Sequence, residues 1–449
     1  MLKTISPPLP PSLKRDFIGG HLLSMRRDSI DFLTRTSKLG DITTASIGGQ
    51  PTYFLNHPDL ARDVFVTNHH KFHKGRGLQR IKRVLGEGLL TSEERFHLRQ
   101  RRMAQPAFHR SRIAGYAATM VECAAKMSDE WRDKTAYNVS DEMMRLTLNV
   151  VGKTLFGANV ESQAGNVGAA MTTMFDMFGF MMLPFFDLLE KTPLPFIRKF
   201  HQAREKLDAI IYEIINERRK SGVDNGDLLS MLLLAQDEDD GGMMTDKQVR
   251  DESLTIFLAG HETTANALTW TFYLLSQNPE IESQLHAELD RVLPDNQTPT
   301  FENYADLKFT ENVVAESIRL FPPAWLLGRK AMEDYEVQNY IVPKGSLVLL
   351  SPYVMQHDAR FWDDVNEFKP SRWDKLSVKE AGQKFIYFPF GGGVRRCIGE
   401  QFAWMEGVLL LATLARKWKL TLAPEQKIAT QAVITLRPKY GMKMTATKR

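Results

Sequence analysis

The sequence predicts a mainly helical protein with a minor sheet, and three observations lead there. The segment Lys199–Lys220 sets Leu207, Ile210, Ile211, Ile214 and Ile215 among charges, an apolar face at the helical period of about 3.6 residues. Thr245–Gln277 opens on Thr245-Asp246-Lys247-Gln248, a capping-box pattern, and stops before Asn278-Pro279. Strand-like stretches are few and short, and most fall in the C-terminal half.

In chain order, a pair of strands is expected around Ile42–Phe54, and Phe96–Phe108 begins as a basic helix. Met171–Leu189 is apolar, but Asp176, Pro184 and Asp187 interrupt it, so it makes a poor membrane span. Ser221–Gly226 and the acidic run Asp237–Asp240, followed by Gly241-Gly242, read as surface turns. At ~1.5 Å per residue the Thr245–Gln277 helix is roughly 50 Å long. Its middle, Ile256–Leu275, is apolar on most sides and predicts burial. Tyr335–Val342, Ser346–Leu350 and Ala432–Leu436 read as strands, and Glu400–Lys417 as a helix rich in Leu, Ala and Met.

Composition excludes several classes. The chain has 449 residues, 25% of them charged, and a net charge of +4, which does not predict nucleic-acid binding. Two cysteines, Cys123 and Cys397, cannot build a disulfide framework or a Cys-rich zinc site. The length alone suggests about three domains. With no long linker and no repeat, one domain over 1–449 is the better expectation. The N-terminus carries Pro7, Pro8, Pro10 and Pro11 and no apolar run. Neither a signal peptide nor an N-terminal anchor is expected, so a cytoplasmic location is the default.

The most informative stretch is Phe390-Gly391-Gly392-Gly393-Val394-Arg395-Arg396-Cys397-Ile398-Gly399. Three consecutive glycines mark a tight loop or the close approach of a flat object. Cys397 then falls at the start of the Glu400–Lys417 helix, where unpaired N–H groups and two arginines favour a thiolate. Cys123, on an Ala-rich helix, reads as a buried inert thiol. An activated Cys397 could be a nucleophile, a redox sensor or a metal ligand.

The pattern Phe-x-x-Gly-x-Arg-x-Cys-x-Gly, at Phe390, Gly393, Arg395, Cys397 and Gly399, resembles the haem-binding signature of the cytochrome P450 family. The resemblance implies that family's fold, an α-rich prism with a minor β subdomain. It implies haem b (iron protoporphyrin IX) as cofactor, with the Cys397 thiolate as the proximal iron ligand. Arg395 would pair with a haem propionate, and Phe390 would pack near the sulfur.

Other segments carry the resemblance further. Ala259-Gly260-His261-Glu262-Thr263-Thr264 places a glycine, an acid and two threonines inside an apolar helix, which is locally unfavourable. It resembles the family's oxygen-binding stretch, in which Thr263 would hydrogen-bond the oxygen being activated and Glu262 would relay protons. A zinc-protease reading fails, because Ala265 stands where a second His is required. Glu316-Ser317-Ile318-Arg319, ahead of Pro322-Pro323, pairs charges at i and i+3. With Arg372 from Phe368–Trp373 it resembles the family's buried ion network. The same spacing at Glu142–Arg145 and Glu288–Arg291 reads as solvated helix surface. His97 and Arg101 resemble the family's Trp-x-x-x-Arg helix, with His in place of Trp, and Arg329 aligns with another propionate contact.

The resemblance implies a monooxygenase acting on an apolar small molecule: fatty acid, terpenoid or steroid. The style of the oxygen-binding and haem segments is closest to fatty-acid hydroxylases. Met171–Met182 suits a lid over such a guest, or an ordinary packed face. Trp325–Leu327 and Val433–Thr435 resemble pocket-lining segments. Six basic residues between Lys71 and Arg83 read as a solvated loop or as a site that steers a carboxylate, and His69, His70 and His73 carry little metal signal. The chain has no Gly-x-Gly-x-x-Gly and no P-loop, so electrons would come from a separate ferredoxin or flavodoxin with its reductase. Arg99, Arg102 and Arg396 would form its basic docking patch, and a monomer without a membrane anchor is expected. Two rivals stay open: a peroxide-driven or isomerising haem-thiolate enzyme, against which Glu262-Thr263 speaks, and a non-enzymatic haem sensor or carrier.

Overall fold

A computed structural model describes residues 8–17, 19–157, 170, 173–174, 177–178, 180–181, 186–237 and 241–449. In chain order the principal helices are α1 (Arg76–Leu85), α2 (Glu94–Ala104), α3 (Arg110–Glu130), α4 (Val139–Phe156), α5 (Pro195–Ser221), α6 (Leu228–Leu234), α7 (Asp246–Gln277), α8 (Pro279–Val292), α9 (Lys308–Leu320) and α10 (Glu400–Lys417). The strands are β1 (Ile42–Ile47), β2 (Gln50–Leu55), β3 (Phe72–Lys74), β4 (Thr135–Asn138), β5 (Leu327–Ala331), β6 (Tyr335–Val337), β7 (Tyr340–Val342), β8 (Leu347–Leu350), β9 (Trp418–Leu422), β10 (Thr430–Ala432), β11 (Leu436–Pro438) and β12 (Lys443–Lys448).

The chain forms two compact units, each discontinuous in sequence. The first comprises the chain up to Arg80, Ala324–Glu367 and Leu376–Cys397. It holds a five-stranded sheet, β1-β2-β8-β5-β3, in which only β2 and β8 run parallel. Its core gathers Tyr53, Leu55, Val64, Phe65, Tyr335 and Val348 among others. The expected strand Tyr335–Val342 is the hairpin β6–β7, because Gln338 adopts φ 51° and turns the chain.

The second unit comprises Ile81–Pro323, Phe368–Lys375 and Ile398–Arg449. It carries the helical layers, the sheet β4-β12-β9 and the hairpin β10–β11. The axis of this unit is α7. The Thr245 hydroxyl accepts from Gln248 N at 3.3 Å, and the Gln248 side chain accepts from Thr245 N at 2.8 Å, which closes the capping box. At the far end Asn278 caps the helix through Nδ2 to Leu274 O, and Pro279 starts α8. Two of its buried threonines satisfy their hydroxyls within the helix: Thr269 donates to Ala265 O and Thr271 to Ala267 O.

Two expectations are corrected. Ala432–Leu436 is not one strand: Ala432 ends β10, Leu436 begins β11, and residues 433–435 turn between them, closed by Val433 N to Thr435 O at 3.2 Å. Glu288 is buried rather than solvated. It accepts from Phe309 N, Thr310 N and the Thr310 hydroxyl, and so caps α9, whose own N-cap residue, Leu307, has no side chain to do it.

Candidate active site

In the first unit the Phe390–Cys397 loop folds back on itself, with Cys397 N donating to Phe390 O at 2.9 Å. α10 begins at Glu400, so Cys397 lies three residues ahead of the helix rather than on its first turn. The Cys397 side chain is exposed, whereas Cys123 is buried on α3. Gly393 has φ 63°, and a Cβ there would stand 1.8 Å from Phe65 O, so only glycine fits this loop. A Cβ at Gly392 would meet the Phe385 ring at 2.6 Å. Phe65 and Phe385 stack 6.3 Å apart and back the loop. The Arg329 guanidinium covers the Phe65 ring at 4.8 Å, while Gly393 lies against the backbone carbonyl of the same residue. Phe390 and Arg395 are half-buried. Phe65 and Phe385 carry no local sequence signal for this backing role.

In the second unit, α7 is buried from Val249 to Phe272 at every position except Leu258, Ala259, Gly260 and Thr263. These four lie within six residues, which makes an accessible window on an otherwise enclosed stretch of helix. At Gly260 an added Cβ would press on Val151 Cγ2 at 3.2 Å. The Thr263 hydroxyl donates to Ala259 O at 2.8 Å, leaving its lone pairs to accept. Glu262 is buried beside this window, and its Oε1 accepts from the Thr435 hydroxyl at 2.7 Å. Burial pushes its carboxyl up to about 7, against the pull of Thr435 and Arg437.

His97 is buried on α2 and Arg101 is half-buried one turn on. Between them, Gln100 Nε2 donates to Glu252 Oε1, and Leu89 N donates to Oε2, both at 2.9 Å. Glu252, pushed up to about 7 by burial, thus ties α2 and its preceding loop to α7. Arg99 and Arg102 both reach the buried Asp237 carboxylate, at 3.6 and 3.4 Å. The three members expected in the ion network meet: Arg319 donates to Glu316 through Nε at 3.0 Å and Nη2 at 2.9 Å, and Arg372 Nε through 2.8 Å. Trp373 Nε1 at 3.0 Å and Lys369 N at 3.2 Å complete the set around Glu316. Trp373 went unnoticed although it lies in the same segment as Arg372.

The basic cluster is largely committed elsewhere. Lys71 pairs with Glu333, Lys82 with Glu87 and Arg83 with Glu190, while Lys74 is buried. Ion-paired cations make weak receptors for a further carboxylate. Among the described residues of the Met/Phe-rich segment, Met174, Met177 and Met181 are buried, and Phe180 stacks on Phe196 at 5.5 Å. Met171, Thr172, Phe175, Asp176, Gly179 and Met182 lie outside the described residues, as do residues 238–240. Among the described residues no group of three His, Cys, Asp or Glu could hold a metal ion, and no helix is long and apolar enough to cross a membrane.

An exposed thiol on a closed glycine loop is a donor that fits a flat thiolate-ligated group. The iron of such a group would take its sulfur from Cys397. One further carboxyl stands out. Glu406 on α10 is fully buried, and neither carboxyl oxygen makes a hydrogen bond of normal geometry, although the nearby Thr264 hydroxyl pulls its pKa down. Burial pushes the group up to about 8 from its ordinary 4.5. A raised carboxyl stabilises the fold fully below its unfolded pKa, and that contribution is lost as pH rises toward 8. Replacing Glu406 with Gln should remove this loss. Urea titrations from pH 5 to 9 should show E406Q gaining a few kcal/mol on the parent as pH rises. Parallel curves would contradict the assignment.

Comparison with known proteins gives the chain its relatives. A family model described as Cytochrome P450 matches residues 10–444. Cyclooctatin synthase of Streptomyces melanosporofaciens is 38% identical over 432 residues, covering 96% of this chain and 92% of that protein. Cyclooctat-9-en-7-ol 5-monooxygenase of the same organism is 35% identical, covering 90% of this chain and 88% of that protein. Pentalenene oxygenase of Streptomyces avermitilis is 34% identical, covering 96% of each.

Proposed function

The chain belongs to the cytochrome P450 family, and from that premise we propose that it hydroxylates or epoxidises a terpenoid. It is a haem-thiolate monooxygenase that acts on an apolar small molecule. The terpenoid class is supported by the names of the relatives above, and by the ion pairs that occupy the basic cluster a fatty-acid carboxylate would need. We assign haem b as the form of the cofactor, within one functional domain over 1–449, a span supported by the family match to residues 10–444. The location proposed is the cytoplasm.

The observation that carries the site assignment is the exposed Cys397 thiol on its closed glycine loop. When bound, the haem supplies the activation of O2 and the insertion of one oxygen atom. The protein's own groups hold and feed it. Cys397 would ligate the iron through Sγ, and Phe390, next to the loop closure, would limit water and hydrogen bonding at the sulfur. Arg395, Arg329, Arg101 and His97 would neutralise the propionates by charge-assisted hydrogen bonds. Glu262, with a pKa of about 7, holds a proton near neutral pH and can release it. The Thr263 hydroxyl, donating to Ala259 O, can accept a hydrogen bond at Oγ1 on the accessible side of α7. The Glu316 network serves assembly of the fold rather than chemistry.

Electrons come from a separate redox partner, for which we propose a ferredoxin or flavodoxin with its reductase. Asp237 offsets Arg99 and Arg102, so the docking charge rests more on the exposed Arg95, Arg110 and Arg112 of α2 and α3. The function is tested by supplying the holoenzyme with electrons, labelled O2 and a panel of terpenoid hydrocarbons, fatty acids and steroids. The expected product is a terpenoid carrying one labelled oxygen. Turnover confined to fatty acids or steroids, or oxygen drawn from water, would refute the reading.

A further inference from the structure

Glu262, Asn266 and Trp270 are spaced four apart on α7 and therefore share one face. All three end on two adjacent residues of the β10–β11 hairpin. Glu262 Oε1 accepts from the Thr435 hydroxyl at 2.7 Å, and Asn266 Nδ2 donates to that same hydroxyl at 3.2 Å. Trp270 Nε1 donates to Leu436 O at 3.1 Å. Leu436 N in turn donates to Pro323 O at 3.0 Å, and Trp270 stacks on Phe321 at 4.1 Å. The hairpin is thus pinned at Thr435 and at Leu436.

This pinning fixes the direction of the hydroxyl proton. An amide NH2 can only donate, so Asn266 occupies a lone pair of Thr435 and the hydroxyl hydrogen points at Glu262. Thr435 is buried, so no water competes for that bond. It follows Val433 and Ile434, two half-buried apolar residues at the tip of the same turn. Resting on the proton-relay reading above, we propose that Thr435 is a positioning residue for that relay. Its hydroxyl orients the Glu262 carboxyl, favours its ionised form and makes proton release depend on the set of the 433–435 turn.

The other groups around Glu262 leave this role to Thr435. Arg437 on β11 lowers the carboxyl's pKa by its charge and hydrogen-bonds Gln431. His261, adjacent on α7, is pushed down to about 4 by burial and is neutral near pH 7. Glu406 of α10, at about 8, is neutral there too. From α4, Thr147 approaches His261 O and bears no charge.

The test follows the fraction of electrons that reach product in the holoenzyme as a function of pH. This coupling should fall as pH rises through the Glu262 pKa. Thr435→Val, which keeps the shape and removes the donor, should move that limb to higher pH by about one pH unit. Thr435→Ser should restore the original limb, and Glu262→Gln should flatten it, with Thr435→Val adding nothing in that background. The infrared C=O band of the protonated Glu262 should rise in frequency in Thr435→Val and return in Thr435→Ser, a readout independent of turnover. A limb and a band unmoved by Thr435→Val, with Glu262→Gln still flattening the profile, would overturn the positioning role alone. A limb that survives Glu262→Gln would overturn the relay reading, and this proposal with it.

Discussion

Replacing Cys397 with serine should abolish oxygen insertion while leaving the fold intact. The side chain is exposed and its loop is closed by backbone atoms, Cys397 N to Phe390 O, so Ser costs little in stability. Serine cannot supply a soft thiolate, so product formation should fall at least ~10³-fold, about 4 kcal/mol of barrier. Cys123→Ser is the control. Its thiol is buried within α3, where the change perturbs packing but not ligation, and turnover per bound haem should be unchanged. A Cys397→Ser enzyme that retained its turnover would remove this residue from the chemistry.

The second large effect concerns stability. Glu316 and Arg319 are fully buried, and Glu316 accepts from Arg319, Arg372, Trp373 and the Lys369 N–H. Truncating it to Ala removes the carboxylate that faces the fully buried Arg319 guanidinium, at a cost of about 3–5 kcal/mol. Urea unfolding should show that loss, and cells should yield little folded protein. Arg145→Ala makes the contrast: the pair with Glu142 has the same i,i+3 spacing, but its side chains are 33% and 20% exposed. The expected loss there is below about 1 kcal/mol. Equal losses at both sites would show that burial does not set the value of this network.

These two sites also mark what the sequence can tell. The motif around Cys397 and the capping box at Thr245–Gln248 were legible because their chemistry is local: neighbouring residues suffice to define it. The three Glu-x-x-Arg copies were identical as spacing, and only tertiary contacts separate them. Glu316 collects four partners, Glu142 binds Trp131 and Arg145 at the half-exposed surface, and Glu288 caps a neighbouring helix. Val433-Ile434-Thr435 has the β-branched composition of a strand, yet Thr435 is worth more to the fold as a turn residue bonded to α7. No sequence signal marks such a contact across 173 positions. Likewise Asp237, read as part of a solvated acidic turn, is buried and takes up the arginines expected to face a redox partner. The lean toward fatty acids came from motif style, which reports on the shared oxygen chemistry.

The central claim is thiolate ligation of haem by Cys397, and one spectrum tests it. The purified protein, reduced and exposed to carbon monoxide, should show the red-shifted haem band characteristic of a thiolate ligand, and Cys397→Ser should lose it. A band at the position typical of a nitrogen-ligated haem in the parent protein, or a red-shifted band surviving in Cys397→Ser, would contradict the account.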